Sequence, residues 1–348
     1  MTLRKFFLFP FSIVYNLVTG FRNFLYDKKF LKSVSFGFPV ICIGNLKVGG
    51  TGKTPHVEYL TDFLSSEFSV GIVSRGYGRK TKDYIEAYRD TEASKIGDEP
   101  AQYRRKFSEN VRVAVCEKRS IGIKKLKESH PQLKAIILDD AMQHRSVQAG
   151  LTIMLTEYKH PFFKDWILPG GLLRESRQGV RRADMVIVTK CQADITENQK
   201  SKIRDQIRRY AQKNVPVFFT RYTYGAPTAL YAPVSPFDPS APCHVLAVSG
   251  IANPQPFLSF LQESYTSVKS LRYSDHYDYT TKDEEKIMKE FQSLPENGNK
   301  LILTTEKDAV KFKDLHILKE VPVAYIPVKA SFLEKENEFR QLVRDFLN

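Results

Sequence analysis

Residues 38–43 are apolar at almost every position and run directly into a glycine cluster, Gly44, Gly49, Gly50 and Gly52. Such a run, bounded by glycine, predicts a buried strand, and the helical periodicity of 55–64 predicts the helix that follows it. Further short apolar runs at 70–73, 111–115, 135–138, 152–155 and 185–188 alternate with segments of helical character. Strands and helices in alternation predict a largely parallel sheet covered on both faces. From about 222 to 242 the chain is rich in Pro, Ala and Tyr, which marks a boundary. Beyond it, 244–248 and 301–303 predict strands of a smaller α/β domain, with Thr281 and Glu284 as a capping box between them. The expected organisation is a helical segment over 1–35, an α/β core over 36–222 and a second domain over 223–348.

The first segment has its own pattern. Pro10 suits a first helical turn, after which Ile13, Val14, Leu17, Val18, Phe21, Phe24 and Leu25 recur at helical spacing, with Ser12, Asn16, Thr19, Asn23 and Asp27 opposite. Pro10, Ser12, Asn16 and Gly20 interrupt the apolar stretch, which is too short for a transmembrane helix. Residues 1–32 carry Arg4, Lys5, Arg22, Lys28, Lys29 and Lys32 against the single acid Asp27, a net +5. An amphipathic helix with basic ends can lie in the headgroup plane of an anionic membrane, or dock on its own domain. A signal peptide is a third reading, weakened by the lack of a small-residue cleavage site before the glycine cluster.

Composition narrows the picture only partly. With 348 residues, 42% of them hydrophobic, the chain can bury a sizeable core. Its net charge of +14 points to an anionic partner, whether nucleic acid, membrane or phosphorylated substrate. Cys42, Cys116, Cys191 and Cys243 are dispersed, without metal-ligand spacing, and suit a reducing compartment such as the cytoplasm.

Candidate chemistry starts at Gly49-Gly50-Thr51-Gly52-Lys53-Thr54, between the predicted strand and helix. Backbone N–H groups of such a loop cradle phosphates, Lys53 would neutralise β/γ oxygens, and the Thr54 hydroxyl would ligate Mg²⁺. Lys47 stands where the regular pattern has glycine, so the loop is a variant, similar to the double-glycine loops of partitioning ATPases and metallochaperone GTPases. A phosphate loop also needs a carboxylate at a neighbouring strand end, and the apolar run ending in Asp139-Asp140 supplies it.

Together the motifs resemble those of the tetraacyldisaccharide 4′-kinase family, the lipid A 4′-kinases of Gram-negative bacteria. The resemblance is carried by Gly44-Asn45, Gly49 to Pro55, Ser74-Arg75-Gly76-Tyr77-Gly78-Arg79, Gly97-Asp98-Glu99-Pro100 and Asp139-Asp140-Ala141-Met142-Gln143-His144-Arg145. It continues through Leu168-Pro169-Gly170-Gly171, Leu173-Arg174-Glu175, Arg182-Ala183-Asp184, Gly250-Ile251-Ala252-Asn253-Pro254, Ser274-Asp275-His276 and Thr304-Thr305-Glu306-Lys307-Asp308-Ala309. Two positions depart from the family pattern, Ala141 in place of glycine and Ser176 in place of proline; Ala141 implies an altered turn if glycine there supplies a positive φ.

The resemblance implies an α/β fold, a P-loop NTPase-like sheet, largely parallel and flanked by helices, with the smaller α/β domain closing over the active site. It implies ATP and Mg²⁺ as cofactors and, as acceptor, the 4′-hydroxyl of a tetraacylated glucosamine disaccharide 1-phosphate. Lys53 and Thr54 would bind phosphate and metal, Asp139 and Asp140 would complete the metal environment, and Arg75, Arg145 and Arg174 would contact phosphates of nucleotide or lipid. Asp98 is the expected base and His276 its partner from the second domain. The expected protein is a monomer with no nucleic-acid partner, peripheral on the cytoplasmic face of the inner membrane, which its segment 1–32 contacts. Two rivals are a GTPase or metallochaperone, for which residues 186–190 with Asp194 faintly resemble a guanine-binding strand end, and an ATP-switched membrane-binding protein.

Overall fold

The computed structural model describes residues 3–231, 241–312 and 315–348. Helix α1 (Leu3–Asp27) precedes β1 (Val40–Asn45) and α2 (Lys53–Ser65). Then come β2 (Val70–Ser74), β3 (Ile85–Ala87), α3 (Ala93–Ile96), α4 (Asp98–Lys106), β4 (Val111–Val115), α5 (Arg119–Ser129) and β5 (Ala135–Asp139). The first domain continues through β6 (Leu151–Glu157), β7 (Met185–Thr189), α6 (Glu197–Arg208) and β8 (Val217–Tyr224). The second contains β9 (Thr228–Ala229), β10 (Cys243–Ser249), α7 (Gln255–Ser264), β11 (Ser267–Arg272), α8 (Thr281–Gln292), β12 (Asn299–Thr305), α9 (Glu306–Phe312) and β13 (Val323–Ile326). Last are β14 (Val328–Phe332) and α10 (Glu336–Leu347).

The apolar runs form the interior of the larger sheet, ordered β14-β8-β7-β6-β1-β5-β2-β4-β3 among the described residues, parallel except at its two edges. β1 is buried along its whole length, and alternate side chains enter different cores: Ile41 and Ile43 one, Val40 and Cys42 the other. A strand covered on both faces has no solvent side, which is why it reads as a continuous apolar run. β1 lies between β5 and β6, so its carboxyl end opens at the point where strand order diverges, the usual ligand crevice of such sheets. The smaller sheet is ordered β11-β10-β12-β13-β9.

Three expectations are corrected. The expected second domain, 223–348, does not hold the chain to its end: β14 pairs antiparallel with β8 of the larger sheet, and Phe339 and Val343 of α10 are buried in the first core. The apolar stripe of α10 is legible, but periodicity does not say which core receives it. The capping box on α8 is Thr280 with Asp283, one residue earlier than expected. The helix at the N-terminus begins at Leu3, so Pro10 lies inside it and not in its first turn. Residues 232–240 of the expected boundary stretch, and Met1 and Thr2, lie outside the described residues.

Helix α1 docks with its polar face. Ser12 accepts a hydrogen bond from Gly170 N (2.9 Å) and donates to Ile167 O (3.2 Å), Tyr15 donates to Arg174 O (3.1 Å), and Asn23 donates to Glu175 (2.8 Å). The opposite, apolar face is left uncovered, with Phe11, Leu17, Val18 and Phe21 each about two-thirds exposed. Among the described residues, no helix is long and apolar enough to cross a membrane.

Candidate active site

The loop between β1 and α2 turns on two left-handed glycines, Gly49 at φ 102° and Gly52 at φ 91°. At Gly52 the left-handed backbone demands glycine, and a Cβ would also press on the Tyr222 hydroxyl and displace the end of that ring. Three anchors fix the loop: Asn45 donates to the Thr51 hydroxyl (2.5 Å), Thr189 donates to Thr51 O (2.8 Å), and Lys190 donates to Gly50 O. Lys53 then opens α2, its Nζ 3.6 Å from Asp140 Oδ2.

Parallel register sets Asp139 beside Ile43, so the carboxylates end next to the loop. Asp140 has the left-handed φ of 50°, and Ala141 does not, so the turn after β5 obtains its positive φ one residue before the position where glycine was expected to supply it. Burial would raise the Asp140 carboxyl, but Lys53 and Arg174 outweigh it and hold the group below its ordinary range. Asp139 differs. Burial first, and the charge of Asp140 second, push it up to about 6. Its Oδ2 accepts from Tyr103 (3.2 Å), while Oδ1 is buried with no hydrogen-bond partner among the described residues. An orphaned carboxylate oxygen in that position fits a hard cation. The Thr54 hydroxyl, beside Tyr103, is at hand as a second oxygen ligand. Mg²⁺ is an ion held by one or two carboxylates together with substrate phosphates, and Asp139 and Asp140 supply that number.

Helix α4 ties this centre to the second domain. Asp98 lies at its start and Tyr103 five residues on, about 7–8 Å along the axis, so one rigid element links Asp98 to Asp139. Gly97, at φ 93°, lets the loop of Gly76 and Tyr77 cross the helix start, where a Cβ would lie 2.9 Å from Tyr77 O. Across the interdomain cleft, His276 Nδ1 is 3.0 Å and Lys311 Nζ 2.9 Å from Asp98 Oδ2. The ring of His276, itself at the left-handed φ of 58°, packs against Tyr77 with centroids 5.1 Å apart. Its Nε2 faces Lys307 (3.0 Å), with Glu99 and Asp275 each 3.9 Å away. Burial would raise Asp98, but hydrogen bonds from His276 and Lys311 outweigh it and keep the carboxyl below its ordinary range. The bond to Asp98 raises His276 above its ordinary 6.5, against burial and Lys307.

These two positions, 178 residues apart in the chain, thus meet in one contact. A His with a raised folded pKa contributes stability that is fully present below its unfolded pKa and is lost as pH rises through the folded one. The thermal midpoint of His276→Ala is therefore expected to fall below wild type by more at pH 5.5 than at pH 8.5. Scanning calorimetry at both values checks this, and an equal gap at both would show that the charged ring makes no contribution.

The description "tetraacyldisaccharide-1-P 4′-kinase" belongs to the family whose model matches residues 4–348. The chain belongs to this kinase family. It is 40% identical to the tetraacyldisaccharide 4′-kinase of Flavobacterium psychrophilum, over 98% of this chain and 96% of that protein. Identity with the tetraacyldisaccharide 4′-kinase of Phocaeicola vulgatus is also 40%, over 98% and 94%. The crystal structure of LpxK from Aquifex aeolicus described as in complex with ATP superposes with a TM-score of 0.77, at 30% identity over 99% of both chains.

For a kinase of this family, the three expected arginines stand in different surroundings. Arg75 is exposed, and its charge adds to burial, the larger cause, in disfavouring charge on Arg119 and His144. Arg174 makes a two-oxygen contact with Asp140 (3.1 and 3.0 Å) and donates to Asn45, Gln143 and Lys47 O, which puts it at the phosphate loop. Arg145 is engaged away from the phosphate loop: it pairs with Asp27 (2.6 Å) and donates to Asn23 O (2.8 Å), so its guanidinium clamps the end of α1. Lys190, part of the rival guanine-binding reading, holds Gly50 and Glu157 instead. Sequence reasoning missed Tyr103, Lys307 and Lys311. Lys307 and Lys311 are four apart on α9, a helical spacing that places both on one face, but only the fold shows what that face meets.

Proposed function

We propose that this kinase works at a membrane surface, with Asp98 as the base that takes the proton of the acceptor hydroxyl and His276 as the partner that orients it. The activity is ATP-dependent phosphorylation of the 4′-hydroxyl of a tetraacylated glucosamine disaccharide 1-phosphate, a lipid A precursor. The observation that carries the reading is the 3.0 Å contact between Asp98 and His276, at the start of the helix whose Tyr103 bonds Asp139 beside the phosphate loop.

Gly49, Gly50 and Gly52 would offer backbone N–H groups to the phosphates, Thr51, whose N–H is bonded to Gly49 O (3.0 Å), would join them once that turn opens, and Lys53 would neutralise the β- and γ-oxygens. Thr54, Asp139 and Asp140 would hold Mg²⁺. When bound, that ion supplies charge neutralisation across the transferring group. Arg174 and Arg75 add positive charge at the rim. The 4′-oxygen forms its bond to the γ-phosphorus as the bond to the β,γ-bridging oxygen breaks; ADP leaves with that electron pair, and the hydroxyl proton passes to Asp98. His276 comes from the second domain, so closure of the cleft completes the site after both substrates are in place.

The uncovered apolar face of α1 supports a monotopic placement, and the basic residues of 22–32 suit anionic headgroups at the cytoplasmic leaflet. Deleting α1 would also remove contacts to the loop of Arg174, so surface substitution is the cleaner test. Burying one large apolar side chain contributes about 1.5–3 kcal/mol. Leu17→Glu with Phe21→Glu is therefore expected to lower partition onto vesicles of anionic phospholipid by at least roughly 100-fold and to raise the KM for lipid far more than that for ATP. Transfer of label from γ-labelled ATP to the disaccharide 1-phosphate reads out both constants, and unchanged vesicle partition would remove the membrane reading.

A further inference from the structure

Two lysines of α9 converge on the Asp98–His276 contact, and the mechanism above gives neither a task. Lys311 has a side chain only 11% exposed, and its Nζ is 2.9 Å from Asp98 Oδ2 and 2.9 Å from Tyr277 O. His276 Nδ1 meets the same oxygen at 3.0 Å, and among the described residues no hydrogen bond reaches Oδ1. Around Asp98 stand, from α9, Lys307 and Lys311; from the loop before α8, Asp275 and His276; from its own helix, Glu99; and from the loop after β2, Tyr77 against the His276 ring. Lys307 engages Asp275 (2.9 Å), Glu99 (3.5 Å) and His276 Nε2. That leaves Lys311 as the lysine committed to Asp98.

We propose that Lys311 is a positioning residue for the base: together with His276 it occupies Oδ2 of Asp98, leaving Oδ1 to the acceptor hydroxyl, and it holds the buried carboxylate in its ionised form. Two donors on one oxygen fix the rotation of the carboxyl group. A buried anion with a cation 2.9 Å away stays charged where burial alone would protonate it. The lysine arrives on α9, so in an opened cleft Asp98 loses both donors at once, and its readiness as base is coupled to domain closure. The proposal rests on the reading of Asp98 as base.

The test is the ratio of kcat for Lys311→Met to that of wild type, measured from pH 5.5 to 8.5 at saturating ATP and disaccharide 1-phosphate. Loss of a charge-assisted contact is expected to lower kcat roughly 10–100-fold at the acid end. The deficit shrinks toward pH 8.5, as the carboxyl without its cation regains its charge by deprotonation. The KM for ATP stays within about threefold, and Lys311→Arg restores most of the activity. A deficit that is the same at every pH would overturn the proposal, because a merely structural lysine moves no titration. Should Lys311→Met not fold, Lys311→Gln, which keeps a donor for Tyr277 O without the charge, reads the same ratio. Asp98→Asn separates the two ideas: full activity in that variant removes Asp98 as base, whereas an inactive Asp98→Asn with a pH-independent Lys311 deficit removes only the role of Lys311.

Discussion

Asp98→Asn is expected to reduce kcat by roughly 10²–10⁴-fold while leaving ATP affinity within a few-fold of wild type, the range for loss of a general base. Asparagine keeps an oxygen for Lys311 and His276, so the interdomain contact survives, but it takes up no proton. Alanine is the poorer probe, since it leaves the buried ammonium of Lys311 without its carboxylate and adds a stability defect to the catalytic one. His276→Ala should also lower kcat. Members of one functional unit lose activity non-additively, so Asp98→Asn with His276→Ala should be scarcely worse than the more damaging single change. Steady-state kinetics of the three variants decide the matter. A double mutant whose loss equals the product of the single losses would dissolve the pair into independent residues.

Lys53→Ala should lower the rate of phosphoryl transfer by roughly 10²–10³-fold or more, because an ammonium group aimed at the transferring phosphoryl oxygens acts in a dry site with no substitute. The structure makes it a clean change. Among the described residues Lys53 forms one long ion pair, 3.6 Å to Asp140, and Asp140 keeps its two-oxygen contact with Arg174 when the lysine is gone. Asp140 therefore stays paired, and the thermal midpoint should move little, through Asp139, whose ionised form Lys53 favours. Single-turnover transfer from labelled ATP, with calorimetric ATP binding beside it, checks both halves. Activity within tenfold of wild type would take the phosphate loop out of the chemistry.

The two experiments probe ends of one structural chain. Lys53 opens α2 beside Asp140, Asp139 is bonded to Tyr103, Tyr103 shares α4 with Asp98, and Asp98 meets α9 and His276. Lys106, at the far end of α4, pairs with Glu58 of α2 (2.7 Å) and Glu306 of α9 (2.9 Å), so three helices that carry site residues are also tied together behind the site.

The amino-acid sequence by itself determined what is local. The run 40–43 is apolar at every position, so it must be a strand with both faces covered, and glycines next to Lys53-Thr54 define a phosphate loop because only that backbone turns there. Asp139 and Asp140 were legible for the same reason: strand end and carboxylate lie in one stretch of chain. Asp98 and His276 came into view together through resemblance to a family; no spacing rule links positions 98 and 276. What the tertiary structure alone decided is which surfaces meet. Periodicity marked two faces on α1, yet only packing shows that Ser12, Tyr15 and Asn23 face the protein while Phe11, Leu17 and Phe21 remain outside. The same limit hid the return of α10 to the first core, the diversion of Arg145 to Asp27, and the approach of Lys311 to Asp98. Hydrophobic patterning states that a face will be buried or a charge will be paired. The partner is chosen by long-range packing, which joins segments hundreds of residues apart and leaves no periodic mark in either.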